Sequence, residues 1–87
     1  MEFGFDANKS SSNKAKHGID FIFAQSLWDD DSRLEIPALN FDEPRYRVLG
    51  LIGGKVWSAI ITHREDKIRI ISVRRARRNE EELYHDR

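Results

Sequence analysis

Lys67-Ile68-Arg69-Ile70-Ile71-Ser72-Val73-Arg74, late in an 87-residue chain, is the stretch whose reading decides the fold. Its Ile and Val content marks a strand. Side chains alternate faces along a strand, which puts Ile68, Ile70, Ser72 and Arg74 on one face. Arg69, Ile71, Val73 and Arg75 then share the other. Each face mixes apolar and arginine positions. Arginine on such a strand must emerge where the sheet is open or pair with an acid. Glu43, Glu65 and the acidic segment after residue 78 are the available partners.

Working outward, two more strand-like runs precede this one, Arg45 to Ile52 and Lys55 to His63. Gly53-Gly54 between them is a two-residue hairpin signal. Arg64-Glu65-Asp66 makes a polar turn into Lys67. Leu34 to Leu39 is a shorter strand whose Pro37 belongs near a sheet edge, and Asn40 to Pro44 reads as a loop. At the start, Glu2-Phe3-Gly4-Phe5 alternates like an edge strand. Asp6 is placed to cap a helix over Asn8 to His17 that stops at Gly18. Asp20 is a second capping residue, before a short amphipathic helix over 21–28 carrying Phe21, Ala24 and Trp28. Arg75 to Asp86 has helical composition. The expected fold is α+β: an antiparallel sheet with helices packed on one face, in the order β-α-α-β-β-β-β-α, as one domain over residues 1–87.

Fifteen basic and fifteen acidic residues give zero net charge. The charge is segregated, however. Residues 29–43 carry −5, residues 44–63 carry +3, residues 64–78 carry +5 and residues 79–87 carry −3. Overall neutrality therefore does not exclude a nucleic-acid partner. With no cysteine there is no disulfide framework and no thiolate metal site. No run approaches the ~18 apolar residues of a membrane span and no apolar leader opens the chain, so a soluble cytoplasmic protein is expected.

In the last helix Arg75, Arg77 and Arg78 precede Glu80, Glu81 and Glu82, the reverse of what the helix dipole favours. Guanidinium groups beside open helix N–H donors would suit an anion such as phosphate. A solvated, salt-bridged surface helix is the plainer alternative. His17, with Lys14 and Lys16, stands at a helix end that favours cations. The three histidines lack metal-ligand spacing, and Asp29-Asp30-Asp31 lacks a calcium-loop pattern and reads as a solvated loop or partner surface. No phosphate-cradling glycine loop or nucleophile elbow is present. Trp28 and Trp57 suit the core. Tyr84 either packs with Leu83 and Ala76 or projects into the basic cluster.

Taken together, the chain resembles the BrnT toxins of bacterial type II toxin–antitoxin systems. The matching residues are Phe5-Asp6, Asn13, Lys16-His17-Gly18, Phe21, Asp30, Glu43-Pro44-Arg45-Tyr46 and Gly50. The strongest match is Arg69-Ile70-Ile71-Ser72-Val73-Arg74-Arg75-Ala76, followed by Glu80 and Tyr84. Phe5 stands where the family usually has Trp, and Val73 where it usually has Ala. The resemblance implies a RelE-like fold, metal-independent RNA cleavage without a cofactor, and neutralisation by a BrnA-type antitoxin in a hetero-oligomer. Operator DNA would be reached only through that antitoxin.

Metal-free cleavage uses the RNA 2′-hydroxyl as nucleophile and needs proton transfer and charge stabilisation on the phosphate. The expected catalytic set is His17 as acid or base with Arg64, Arg74 and Arg75 as a phosphate clamp, because an imidazole titrates near neutrality and guanidinium forks bind phosphate. Lys16, Arg69, Arg77 and Tyr84 are the expected RNA-binding residues. The assignment requires His17 to approach the Arg64–Arg75 region in space. The alternative is a non-catalytic module that binds RNA or a protein through the same arginines.

Overall fold

The computed structural model describes residues 1–39 and 42–87. In chain order it contains β1 (Glu2–Gly4), α1 (Ala7–His17), a 3₁₀ helix (Phe23–Asp29), β2 (Leu34–Ala38), β3 (Arg45–Ile52), β4 (Lys55–Arg64), β5 (Lys67–Arg75) and α2 (Arg78–His85). The strands form one sheet in the order β1-β5-β4-β3-β2. The α+β class and the element order match expectation. The loop expected at Asn40 to Pro44 lies partly outside the described residues, at positions 40 and 41.

Local chemistry sets the element ends. Asp6 Oδ1 accepts from the backbone N–H groups of Asn8 (2.8 Å) and Lys9 (3.1 Å), and so caps α1. Gly18 ends α1 in the left-handed conformation, φ +79°. Gly53 and Gly54 both have positive φ, as a tight β3–β4 hairpin requires. Pro37 lies on β2, the outermost strand on its side, where a missing N–H costs no ladder bond.

The mixed pattern of β5 is resolved by a bulge. Ile60 of β4 pairs with Ser72 while Ile61 pairs with Ile70, which leaves Ile71 as an extra residue. A bulge shifts the alternation by one position. Ile68, Ile70 and Val73 consequently share one face, and all three are buried. Arg69, Ser72 and Arg74 share the other. The first face meets Ile19, Phe21, Ala24 and Leu27 in the main core, together with Val48, Ala59 and Ile61. It will be called the core face, and its opposite the far face.

Four expectations are corrected. The sheet is mixed, because β1 pairs with β5 in parallel; the long α1 excursion returns the chain to the opposite end of the sheet. The second helix is 3₁₀ over Phe23–Asp29, a short element whose start is fixed by Asp20 Oδ1 accepting from Phe23 N–H at 2.7 Å. The helices do not share one face: α2 covers the far face, because Leu49, Leu51 and Val56 project there and need cover, which Tyr84 and Ala76 supply. Finally, β5 runs through Arg75, which pairs with Trp57, so α2 begins only at Arg78. Its first turn then holds Glu80 and Glu81 and its last turn His85, the order the dipole favours. Arg75 thus leaves the expected helix start, while Arg77 caps α2 and Arg78 opens it.

Helix α1 is polar for a reason that composition alone hides. It lies along the edge of β5 beyond the reach of β1. Asn13 Oδ1 accepts from Val73 N–H (3.1 Å), and Asn13 Nδ2 donates to the carbonyls of Val73 (2.9 Å) and Ile19 (2.8 Å). One buried side-chain amide thus replaces a neighbouring strand at an edge that would otherwise be left unpaired. Ser10 Oγ accepts from Phe21 N–H at 2.9 Å and fixes the following segment.

Candidate nucleic-acid interface

The far face carries Arg45, Arg47, Arg64, Lys67, Arg69 and Arg74, by strand alternation and register. Ile60, Thr62, Ser58 and Ser72 lie between them. Glu80, Glu43 and Glu2 oppose these cations. Arg74 gives both fork nitrogens to Glu80, Nη1 to Oε1 at 2.8 Å and Nη2 to Oε2 at 2.9 Å. Arg47 Nη1 lies 3.4 Å from Glu80 Oε2 and donates to Ser58 Oγ at 2.6 Å. Glu80 Oε1 also accepts from Arg77 N–H at 2.9 Å, which anchors the start of α2. Burial alone would raise the Glu80 carboxyl. The hydrogen bonds from Arg74 and Arg77 and the charges of Arg74 and Arg47 outweigh it and hold Glu80 below its usual range.

At the far end of the sheet, Arg64 and Arg45 approach Glu43 at 3.4 and 3.8 Å, and Lys67 lies 3.9 Å from Glu2. Arg64 pairs with Lys67 in register, whereas Arg74 pairs with Ser58. Six strand steps at ~3.3 Å each separate the two arginines by about 20 Å. Arg75 projects to the core face, where its guanidinium sits 5.5 Å from the Trp57 ring centroid. Arg64, Arg74 and Arg75 are therefore not one clamp: two stand at opposite ends of a face and the third on the other face. The pairing of Arg64 with Glu43 and of Arg74 with Glu80 follows the alternative drawn from burial cost.

A second group of cations stands at α1. Lys9, Ser12, Lys16 and His17 of α1 border a cavity of about 220 Å³ with Ile71 and Ser72 of β5. Among the described residues, none of these side chains makes a hydrogen bond or an ion pair. Ser72 is exposed, two strand positions from Arg74 on the same face. His17 thus approaches the Arg74 end of the face and stands away from Arg64. Arg69 lies two residues before the bulge residue Ile71, on the same face as Ser72. Arg77, exposed at the start of α2, acts on Arg47 through its charge.

Tyr84 and Asp30 form a separate structural link. Tyr84 is buried and its hydroxyl donates to Asp30 Oδ2 at 2.5 Å. Burial and the Asp30 carboxylate push its phenol upward. Asp30 also accepts from Leu51 N–H (2.9 Å) and Ser32 N–H (2.8 Å). Burial opposes its charge, but these three donors hold the carboxyl below its usual value. Asp30 is therefore a half-buried junction between the 3₁₀ helix, β3 and α2, where the expectation is a solvated loop or partner surface. Arg47 was missed by sequence reading, although an arginine inside the apolar run Arg45 to Ile52 gives the same signal that singled out β5.

Residues 5–80 match the family model described as the ribonuclease toxin BrnT of type II toxin–antitoxin systems. The chain belongs to this family. Membership carries a ribonuclease toxin activity, with RNA as target and an antitoxin protein as partner. The BrnT match runs from α1 to Glu80, and leaves out Glu2 of β1 and Tyr84. No curated protein matches the chain. Among the described residues no group of His, Asp and Glu is arranged to hold a metal ion, and no helix is long and apolar enough to cross a membrane.

Proposed function

We propose that this chain is a metal-independent endoribonuclease, working in the cytoplasm and neutralised by a BrnA-type antitoxin. The observation that carries this reading is the unpaired group Lys9, Lys16 and His17 beside Ser72 at the edge of a basic sheet face. The helix dipole and the more distant Asp6 favour these cations without binding them, which leaves their donors open to a phosphodiester. The RNA 2′-oxygen attacks phosphorus while its proton passes to a base. The bond to the 5′-oxygen breaks, and that oxygen takes a proton. The products are a 2′,3′-cyclic phosphate and a 5′-hydroxyl. His17 serves one of the two proton transfers. Lys16 and Lys9 neutralise phosphate charge, with Arg69 and Arg77 tracking the backbone on either side of the bulge.

The arginine roles change with the geometry. The Arg74 fork is spent on Glu80, so Arg74 acts by fixing α2 and by the surplus charge it shares with Arg47. Arg64 is a remote backbone contact. Arg75 and Tyr84 drop out of the RNA site. The bidentate Arg74–Glu80 pair also favours a second reading, in which the face binds RNA or the antitoxin without cutting. Purified protein incubated with RNA in excess chelator separates the two. Fragments ending in 2′,3′-cyclic phosphate support the enzyme; binding without cleavage, or cleavage that returns only with divalent ion, refutes it.

A further inference from the structure

The cavity between α1 and the β5 bulge is more than an anion site. Its volume, about 220 Å³, is many times what one water needs. Its floor is Ile71, the bulge residue, which is only half-buried. Lys9, Ser12 and Lys16 recur at helical spacing and line one wall, with lysine stems that offer apolar surface below their charged ends. The cavity is held open in advance, because Asn13 pins α1 to β5 through both halves of its amide.

We propose that this cavity is a subsite for one RNA nucleotide. This rests on the RNA reading above and goes beyond it. Lys9 and Lys16 hold the phosphate, the ribose or base packs on Ile71 between the lysine stems, and the Ser72 hydroxyl bonds to the sugar-phosphate. Both donors of the Asn13 amide are committed to backbone carbonyls, so Asn13 itself reads no base edge.

The test is calorimetric titration of the intact protein with adenosine 3′-monophosphate and, separately, inorganic phosphate. Covering the apolar surface of Ile71 and the lysine stems, at ~25 cal/mol per Å², should make the nucleotide bind several-fold more tightly than phosphate. Ile71→Ser should bring nucleotide affinity down to that of phosphate and leave phosphate binding unchanged. Lys16→Ala should weaken both. As a check that needs no variant, the nucleotide should shift the amide resonances of Lys9, Lys16 and Ile71 in the wild-type protein. Equal affinity for phosphate and nucleotide, no binding by the nucleotide, or shifts confined to another surface would overturn the subsite. Binding is read without cleavage. Nucleotide binding by a protein that never cuts RNA refutes the enzyme alone, and RNA cleavage without nucleotide binding refutes the subsite alone.

Discussion

Replacing Asn13 by alanine removes one side chain and leaves three backbone groups without partners: Val73 N–H, Val73 C=O and Ile19 C=O. A buried backbone group without a partner costs about 1–3 kcal/mol. The cavity beside Asn13 admits water to this edge, which places each group at the lower end and the total near 3 kcal/mol. That is a large share of the 5–15 kcal/mol that holds a typical domain together. For a chain of this size each kcal/mol moves the thermal midpoint by about 4–8 °C, so a fall of about 12–24 °C is expected. Asn13→Asp should do no better. It keeps the acceptor for Val73 N–H but turns a carboxylate toward two carbonyl oxygens. Urea unfolding followed by far-UV circular dichroism measures the loss, and hydrogen exchange at the Val73 amide localises it. A loss below about 1 kcal/mol, or a Val73 amide that exchanges as slowly as before, would refute the edge-capping role.

Two further outcomes follow from groups packed inside the fold. Asp30 and Glu80 are both held below their ordinary values, so their contribution is present above about pH 4 and is lost as pH falls through their folded-state values. Urea midpoints measured from pH 7 to pH 2 should drop in this window, and Glu80→Gln should flatten the drop while lowering stability at pH 7; an unchanged acid limb would count against the Glu80 network. Gly50 sits where a Cβ would lie 2.9 Å from Leu27 Cδ2, against a fully buried side chain. Gly50→Ala should therefore cost about 1–3 kcal/mol in the same assay, and a neutral result would show that Leu27 gives way freely.

Local signals carried much of the fold. Asp6 and Gly18 bounded α1, Gly53-Gly54 made the hairpin, and Pro37 marked an edge, because each of these acts within a few residues of itself. The bulge at Ile71 was not legible, since a strict two-residue alternation has no place for an extra residue. The symptom was visible all the same, as a strand with arginine and isoleucine on both faces. Asn13 is 60 residues from Val73, and a polar helix reads as solvated until its partner is known. The arginine excess expected at the start of the last helix shrank to Arg77 and Arg78 once β5 claimed Arg75 by pairing with Trp57. The clustering of arginines between 64 and 78 is real in sequence, but a hairpin and a strand spread it over about 20 Å and two faces. What sequence could place was the Lys16-His17 pair; that its neighbour is Ser72 is a matter of tertiary packing.

The central claim is that cleavage belongs to the α1–bulge end of the far face and not to the arginine at its other end. Initial cleavage rates on one RNA, measured side by side for the wild-type protein, His17→Ala and Arg64→Ala, test it most directly. A positioned acid or base contributes about 10²–10⁴-fold. His17→Ala should lose at least the lower figure, and Arg64→Ala should stay within a few-fold of wild type, with both variants folded. Comparable losses in the two, or an active His17→Ala, would contradict the account.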